Sequence, residues 1–440
     1  EDRLQFTDRS DLSHSFNNTG REFGLFIESK FVTNFGIVPM LALSSGDGRN
    51  SFGSDSRDSD LGGLKIGGRL DFYPLGYFKD GMAHMSADLS REDTLKFVVG
   101  FAASQNEGTS NSVGEGHGDF IFYDANGFNE LPSYSQDFID LLNIPDRHDV
   151  LFLQGGATQQ FATVPMNFGH IKKKADYVLS GTWSKKAISE ASKILEVNTI
   201  ASSEDKNFSY APDPKNWNLS EESAYVHYCP NETIQGVAIH NIPDLEKPLV
   251  ADMSSVILSE PMDVSKFSLI YAGAQKNIGP AVLTMVIAEK SFMEADNPDL
   301  PNILRYSKHA ESDSMLNTPP TFGWYMAGKV FKWIKKSGGL EFFKEQNHTK
   351  AQTLYTYIDN SSFYSNPVNI ENRSIMNIPF ILADKNLDSV FLKECEEEGL
   401  LNLKGHRSVG GMRASIYNAM PVEGVNQLVD FMKVFEAKHG

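Results

Sequence analysis

From residue 149 onward, short apolar runs alternate with amphipathic stretches, and few architectures accept that order. The runs at 149–153, 175–180, 250–253, 269–272 and 282–288 read as strands. The last lacks polar alternation and is expected to be buried on both faces. Helical spacing marks 184–194, 321–337 and 425–438. Strands separated by helices predict an α/β fold on a mostly parallel sheet. A chain of 440 residues is too long for one small core and leaves room for two or three domains.

The first 135 residues have a different texture. They hold 18 of the 35 glycines. In the run 64–72, Leu64, Ile66, Leu70 and Phe72 share one face, and Lys65, Gly67, Arg69 and Asp71 the other. The run 96–104 places Phe97, Val99 and Phe101 together, and 22–32 alternates less cleanly. Loops rich in Gly, Asp, Ser and Asn at 44–62 and 104–118 separate these runs. Alternating strands between polar loops are the texture of a membrane barrel. The stretch resembles a fragment of a phosphate-selective outer-membrane porin, most visibly in Gly-Arg-Leu-Asp-Phe-Tyr-Pro at 68–74. A soluble β-meander or a partly disordered segment fits the same residues. Four or five strands cannot close a barrel, which takes about eight, so this piece cannot be a pore alone. The texture changes near 132–135, which sets the expected domains at 1–135, 136–342 and 343–440.

Charge and composition exclude several classes. A net charge of −17 argues against nucleic-acid partners. No run of 18 apolar residues exists, so no transmembrane helix is expected, and membrane contact would come only from a porin-like first segment. Cys229 and Cys395 make no disulfide framework; a reducing, cytoplasmic location is the simpler expectation. Their residue types suit packing. His170, His309 and His348 do not cluster, and no metal site is indicated. The chain opens on Glu-Asp-Arg with no apolar leader, as a processed or truncated start would.

The chemistry concentrates in Tyr-Ala-Gly-Ala-Gln-Lys-Asn-Ile-Gly-Pro at 271–280. It places Lys276 between small residues just after an apolar run. A second run, 248–255, carries Asp252. A lysine that forms an imine and an acid that pairs with a pyridinium nitrogen are the protein groups pyridoxal phosphate chemistry needs. By spacing alone, a surface lysine and a helix-capping acid fit as well.

Three further phrases follow the same theme: His-Tyr-Cys-Pro-Asn-Glu-Thr at 227–233, Asn-Thr-Pro-Pro-Thr-Phe at 317–322, and Gly-His-Arg-Ser-Val-Gly-Gly-Met-Arg-Ala-Ser-Ile-Tyr-Asn-Ala-Met at 405–420. With all four in order, residues 136–440 resemble the phosphoserine aminotransferases. The resemblance implies the fold-type I architecture of pyridoxal phosphate-dependent transferases: a large α/β domain and a small C-terminal one. It implies Lys276 as the cofactor-binding lysine, Asp252 at the ring nitrogen and Trp183 stacked on the ring. Ala157 and Thr158 would open a helix whose N–H groups face the cofactor phosphate. Many relatives carry glycine and arginine there, so a phosphate-contacting arginine is absent. Gln275 and Thr233 would hydrogen-bond the cofactor. Asn317 and Thr318 would reach the cofactor phosphate of a second subunit, making a homodimer with shared sites. His406, Arg407 and Arg413 would hold the substrate phosphate.

The resemblance further implies transfer of an amino group from glutamate to 3-phosphohydroxypyruvate, as in serine biosynthesis, with a related substrate in pyridoxine biosynthesis. The family's opening segment, with its Ser-Gly-Pro-Ala turn and Ser-His-Arg phrase, has no match in residues 1–135. Losing that arginine would cost on the order of 2–4 kcal/mol, about 30- to 1,000-fold in efficiency. The competing expectations are a porin portion that carries the rest along and an inactive cofactor-binding remnant.

Overall fold

The computed structural model describes residues 24–28, 31–32, 36–44, 65–74, 99–106 and 130–440. The chain divides into two compact units, 1–130 and 131–440. Most of the loops expected at 44–62 and 104–118, together with Leu64 and Phe97, lie outside the described residues.

The first unit contains strands β1 (Gly24–Glu28), β2 (Phe31–Val32), β3 (Gly36–Ser44), β4 (Lys65–Tyr73) and β5 (Val99–Asn106). They form an antiparallel sheet in the order β1-β3-β4-β5, with β2 also paired to β3. Sequence reasoning found the other runs but not β3, whose Pro39 argues against a central strand. The register shows how the proline is accommodated. β2 pairs with β3 at 36–37 and β1 at 40–44, so Pro39 falls in the gap between the two ladders. The described faces are mixed. Leu41 and Leu70 are 42% and 45% exposed, whereas Asp71, Val38, Met40 and Tyr73 are buried.

The second unit begins with α1 (Glu130–Leu142), which runs straight through residue 135. Its Tyr134 and Phe138 are fully buried. Then follow β6 (His148–Leu153), α2 (Gly156–Lys172), β7 (Lys174–Leu179), α3 (Thr182–Ala191) and β8 (Glu196–Ser202). Next come β9 (Val226–Tyr228), β10 (Asn231–Glu232), β11 (Val237–Ala238), β12 (Leu249–Asp252), β13 (Leu269–Gly273) and β14 (Thr284–Glu289). Seven of these strands make one sheet in the order β6-β14-β13-β12-β9-β7-β8. Pairing is parallel except for β14, which is antiparallel to both neighbours. β12 and β13 are buried along their whole length, as a sheet covered on both faces requires. The burial expected of 282–288 fails at Val282, which is 54% exposed because it lies in the turn ahead of β14.

Short helices α4 (Lys290–Glu294) and α5 (Tyr306–Glu311) lead to α6 (Thr321–Lys336). α1 packs on α6. The Tyr134 ring sits where a Cβ on Gly328 would go, Phe138 meets Phe331 at 4.9 Å between ring centroids, and Lys335 Nζ lies 2.8 Å from both Asp137 and Asp140. The chain ends with α7 (Gly339–Asn360), β15 (Tyr364–Ser365), β16 (Asn377–Leu382), α8 (Asp388–Glu397), β17 (Met412–Ser415) and α9 (Val422–His439). The three strands form a small antiparallel sheet. Its core, with Leu354, Phe380, Phe391 and Phe435, is separate from the core under the large sheet. Among the described residues no helix is long and apolar enough to cross a membrane.

Candidate active site

β9, β12 and β13 run parallel, so Tyr228, Asp252 and Gly273 end at one edge of the sheet. The C-terminal edge of parallel strands is where α/β sheets bind ligands. Asp252 is the last residue of β12, and Lys276 follows β13 by three positions. Asp252 is 6% exposed. Its Oδ1 accepts the backbone N–H of Ser254 at 3.0 Å and the Ser254 hydroxyl at 2.5 Å. Burial holds this carboxyl above its ordinary range, while Lys276 and Ser254 pull it back. Burial likewise lowers the Lys276 amine, against the charges of Asp252 and Glu232. A lowered amine is more often neutral, the form that attacks a carbonyl.

Trp183 stands beside this pair, with its ring centroid 5.8 Å from Lys276 Nζ. It occupies the first turn of α3, and its orientation is over-determined. Its backbone N–H donates to Glu232 Oε2 and that of Ser184 to Glu232 Oε1, both at 2.8 Å. Its indole N–H donates to the Thr233 hydroxyl at 2.8 Å. Glu232 is fully buried, and its negative charge suits the helix N-terminus it caps. A Cβ at Gly181 would run into that carboxylate. Sequence reasoning missed Glu232, although it stands in the phrase at 227–233. Cys229 belongs to the same floor: its thiol contacts the Asp252 carbonyl at 3.9 Å, and burial pushes its pKa well up.

The other expected residues are arranged around this centre. α2 starts at Gly156, so Ala157 and Thr158 lie in its first turn. Gly155 and Gly156 have φ of 94° and 67°, values that a side chain would make costly. No side chain caps this helix and no acid lies in its first turn, which leaves its N–H groups open to an anion. Gln275 is exposed beside Gly273. Arg413, on β17, donates from Nη1 to the Thr233 carbonyl at 3.1 Å. Its Nε is buried without a partner among the described residues, a donor that a bound anion would satisfy. Among the described residues His406 bonds only within its own loop, to Ser408, and Arg407 is exposed. Asn317 and Thr318 are exposed ahead of α6, where Gln154 donates to the Thr318 carbonyl at 3.0 Å. The single chain thus gathers Lys276, Asp252, Trp183, Thr233 and Arg413. It does not bring Asn317, Thr318, His406 or Arg407 into hydrogen bonds with them.

Comparison with known proteins bears on the family and the fold. The family model for class-V aminotransferases matches residues 128–428. The phosphoserine aminotransferase of Hahella chejuensis is 54% identical over 305 residues, covering 69% of this chain and 84% of that protein. That of Acinetobacter baylyi is 53% identical over 305 residues, covering 69% and 85%. Among solved structures, the phosphoserine aminotransferase of Bacillus circulans subsp. alkalophilus superposes with a TM-score of 0.70 at 42% identity, covering 73% of this chain and 93% of its own. The pyridoxal phosphate-bound phosphoserine aminotransferase of Trichomonas vaginalis gives 0.66 at 40% identity, covering 69% and 87%. With its strand-end lysine and acid set in the shared architecture, the chain belongs to the phosphoserine aminotransferases of the class-V aminotransferase family.

Proposed function

We propose that the chain binds pyridoxal 5′-phosphate and moves the amino group of L-glutamate to 3-phosphohydroxypyruvate, reversibly giving O-phospho-L-serine and 2-oxoglutarate. The observation that carries this reading is the convergence of Lys276, Asp252 and Trp183 at one edge of the sheet. The residues fit the cofactor. The uncapped start of α2 suits its phosphate, the Trp183 ring its flat face, and buried Asp252 its ring nitrogen. When bound, the cofactor supplies an aldehyde that amines condense with and a ring that withdraws electrons.

The chain's own residues do the rest. Lys276, neutral more often than an exposed lysine, holds the cofactor and carries the proton to and from the substrate α-carbon. Asp252 keeps a proton on the ring nitrogen. Glu232 and Thr233 fix the Trp183 plane from two sides. Gln275 adds a hydrogen bond to the cofactor. Arg413, with His406 and Arg407, anchors the substrate phosphate. For Arg413→Ala we expect KM for the phosphorylated substrate to rise roughly 30- to 150-fold, from a contact of about 2–3 kcal/mol. KM for glutamate should change far less. Steady-state kinetics on both substrates checks this, and equal losses would remove the phosphate role.

The enzyme works as a cytoplasmic homodimer in this reading. Asn317 and Thr318 serve the partner's site, and Val282, Met315 and Phe322 nearby are large exposed apolar side chains. Sedimentation velocity showing a monomer would sink it. Residues 136–342 act as the large domain and 343–440 as the small one. The chain has no Ser-Gly-Pro-Ala or Ser-His-Arg phrase before residue 136. We therefore expect slower turnover than in relatives that carry these phrases, and single-turnover kinetics would separate a slow enzyme from an inactive cofactor binder.

A second reading concerns the first unit alone. Leu41 and Leu70 face outward, as lipid-facing residues of a membrane strand do, and this favours the porin-fragment origin, while the inward face joins Asp71 to Val38, Met40 and Tyr73. The full chain should then co-sediment with phospholipid vesicles, and a chain starting at residue 131 should not. Equal recovery of both in the supernatant would discard this reading.

A further inference from the structure

Three turns adjoin the residues of the proposed site: one follows Asp252, one holds Lys276, and one follows the strand of Arg413. Behind the site a buried amide cluster joins them. Three consecutive carbonyls, of Ile257, Leu258 and Ser259, each accept from a different asparagine: Asn277 at 3.1 Å, Asn418 at 2.7 Å and Asn347 at 2.9 Å. Leu258, in the middle, has φ of 63°, a left-handed conformation that a bulky side chain adopts only when its surroundings impose it. The asparagines also bond one another. The Asn418 backbone N–H donates to Asn277 Oδ1 at 3.0 Å, and Asn347 Nδ2 donates to Asn418 Oδ1 at 2.9 Å. All three are buried.

Lys350 completes the cluster from α7, the helix that also carries Asn347. It is fully buried. Its ammonium donates to the carbonyls of Ile416, Tyr417 and Met420 at 2.9, 2.9 and 3.0 Å. All three donors of the ammonium are thereby used. The site holds a cation by carbonyl dipoles alone, and burial pulls the amine down to about 8.

We propose that Asn347 and Lys350 are positioning residues for Lys276. α7 grips the turn 416–420, Asn418 in that turn holds Asn277, and Asn277 is the next residue after Lys276. The same grip sets the end of the strand that carries Arg413. Neither Asn347 nor Lys350 is part of the proposed cofactor or substrate contacts.

The proposal rests on the reading of Lys276 as the reactive lysine, but its test does not require the cofactor. In the full chain, freed of any bound pyridoxal phosphate, Lys276 is acetylated with acetic anhydride across a pH series, and the labelled peptide is quantified by mass spectrometry. The amine feels burial first, then Asp252, Cys229, Glu232 and Arg413. Lys350→Met and Asn347→Leu should each release the 274–279 turn toward solvent. The pH at which Lys276 becomes reactive should then rise toward the ordinary lysine value, by about 0.5 unit or more. An unchanged midpoint in a folded variant, with only a lower melting temperature, makes the cluster a stability device and overturns the proposal. If Lys350→Met does not fold, Asn347→Leu decides. Failure of the functional reading shows separately, as a parent chain that takes up no pyridoxal phosphate, and leaves the labelling result intact.

Discussion

Replacing Lys276 by alanine should remove the visible absorbance of bound pyridoxal phosphate and, with it, transamination, a loss on the order of 10⁴-fold or more. Two lysines lie near the Trp183 ring. Lys186 is closer, with Nζ 4.2 Å from the centroid against 5.8 Å for Lys276. Lys186 is exposed on α3. Lys276 is the one that burial has made less basic, with Asp252 and Glu232 among the charges acting on it. Only such an amine is neutral often enough to attack and close enough to the acid to act with it. Lys186→Ala should therefore keep both absorbance and turnover. A borohydride-reducible adduct that survives in Lys276→Ala would assign the chemistry elsewhere.

Asp252→Asn should preserve the fold and some cofactor binding but lower kcat roughly 100- to 1,000-fold, about 3–4 kcal/mol of transition-state stabilisation. The amide can still accept from Ser254, so the turn after β12 survives. It cannot hold a proton on the ring nitrogen by charge. The substitution also carries a signed pH effect. The Asp252 charge raises the Lys276 amine against burial, so its removal should lower the pH at which the free amine of the cofactor-free chain becomes reactive. Acetylation of Lys276 across a pH series in parent and variant reads this directly. Turnover near that of the parent would mean that another acid does the work.

Much of the large sheet was legible, because buried parallel strands are continuous apolar runs and helices keep their own period. The predicted helix at 321–337 is found at Thr321–Lys336 and that at 425–438 at Val422–His439. The direction of β14 was not legible, since an apolar run looks the same whichever way it pairs. β3 was hidden by Pro39, which falls in the gap between the β1 and β2 ladders on one side and opposite Leu70 of β4 on the other. Val282 was misjudged because a turn residue next to a strand carries the same apolar signal.

For the site, local chemistry determined the most. A lysine among small residues after one strand and an acid ending another are both short-range patterns, and they single out Lys276 and Asp252 from the sequence. Tertiary structure alone decided how those groups are held. Glu232 caps a helix that begins 50 positions earlier in the chain. Arg413 reaches Thr233 across 180 positions. Lys350 meets carbonyls 66 to 70 positions away. Hydrogen bonds of this kind leave no period or spacing in the sequence, because the chain brings the partners together only after burial makes an unpaired polar group costly.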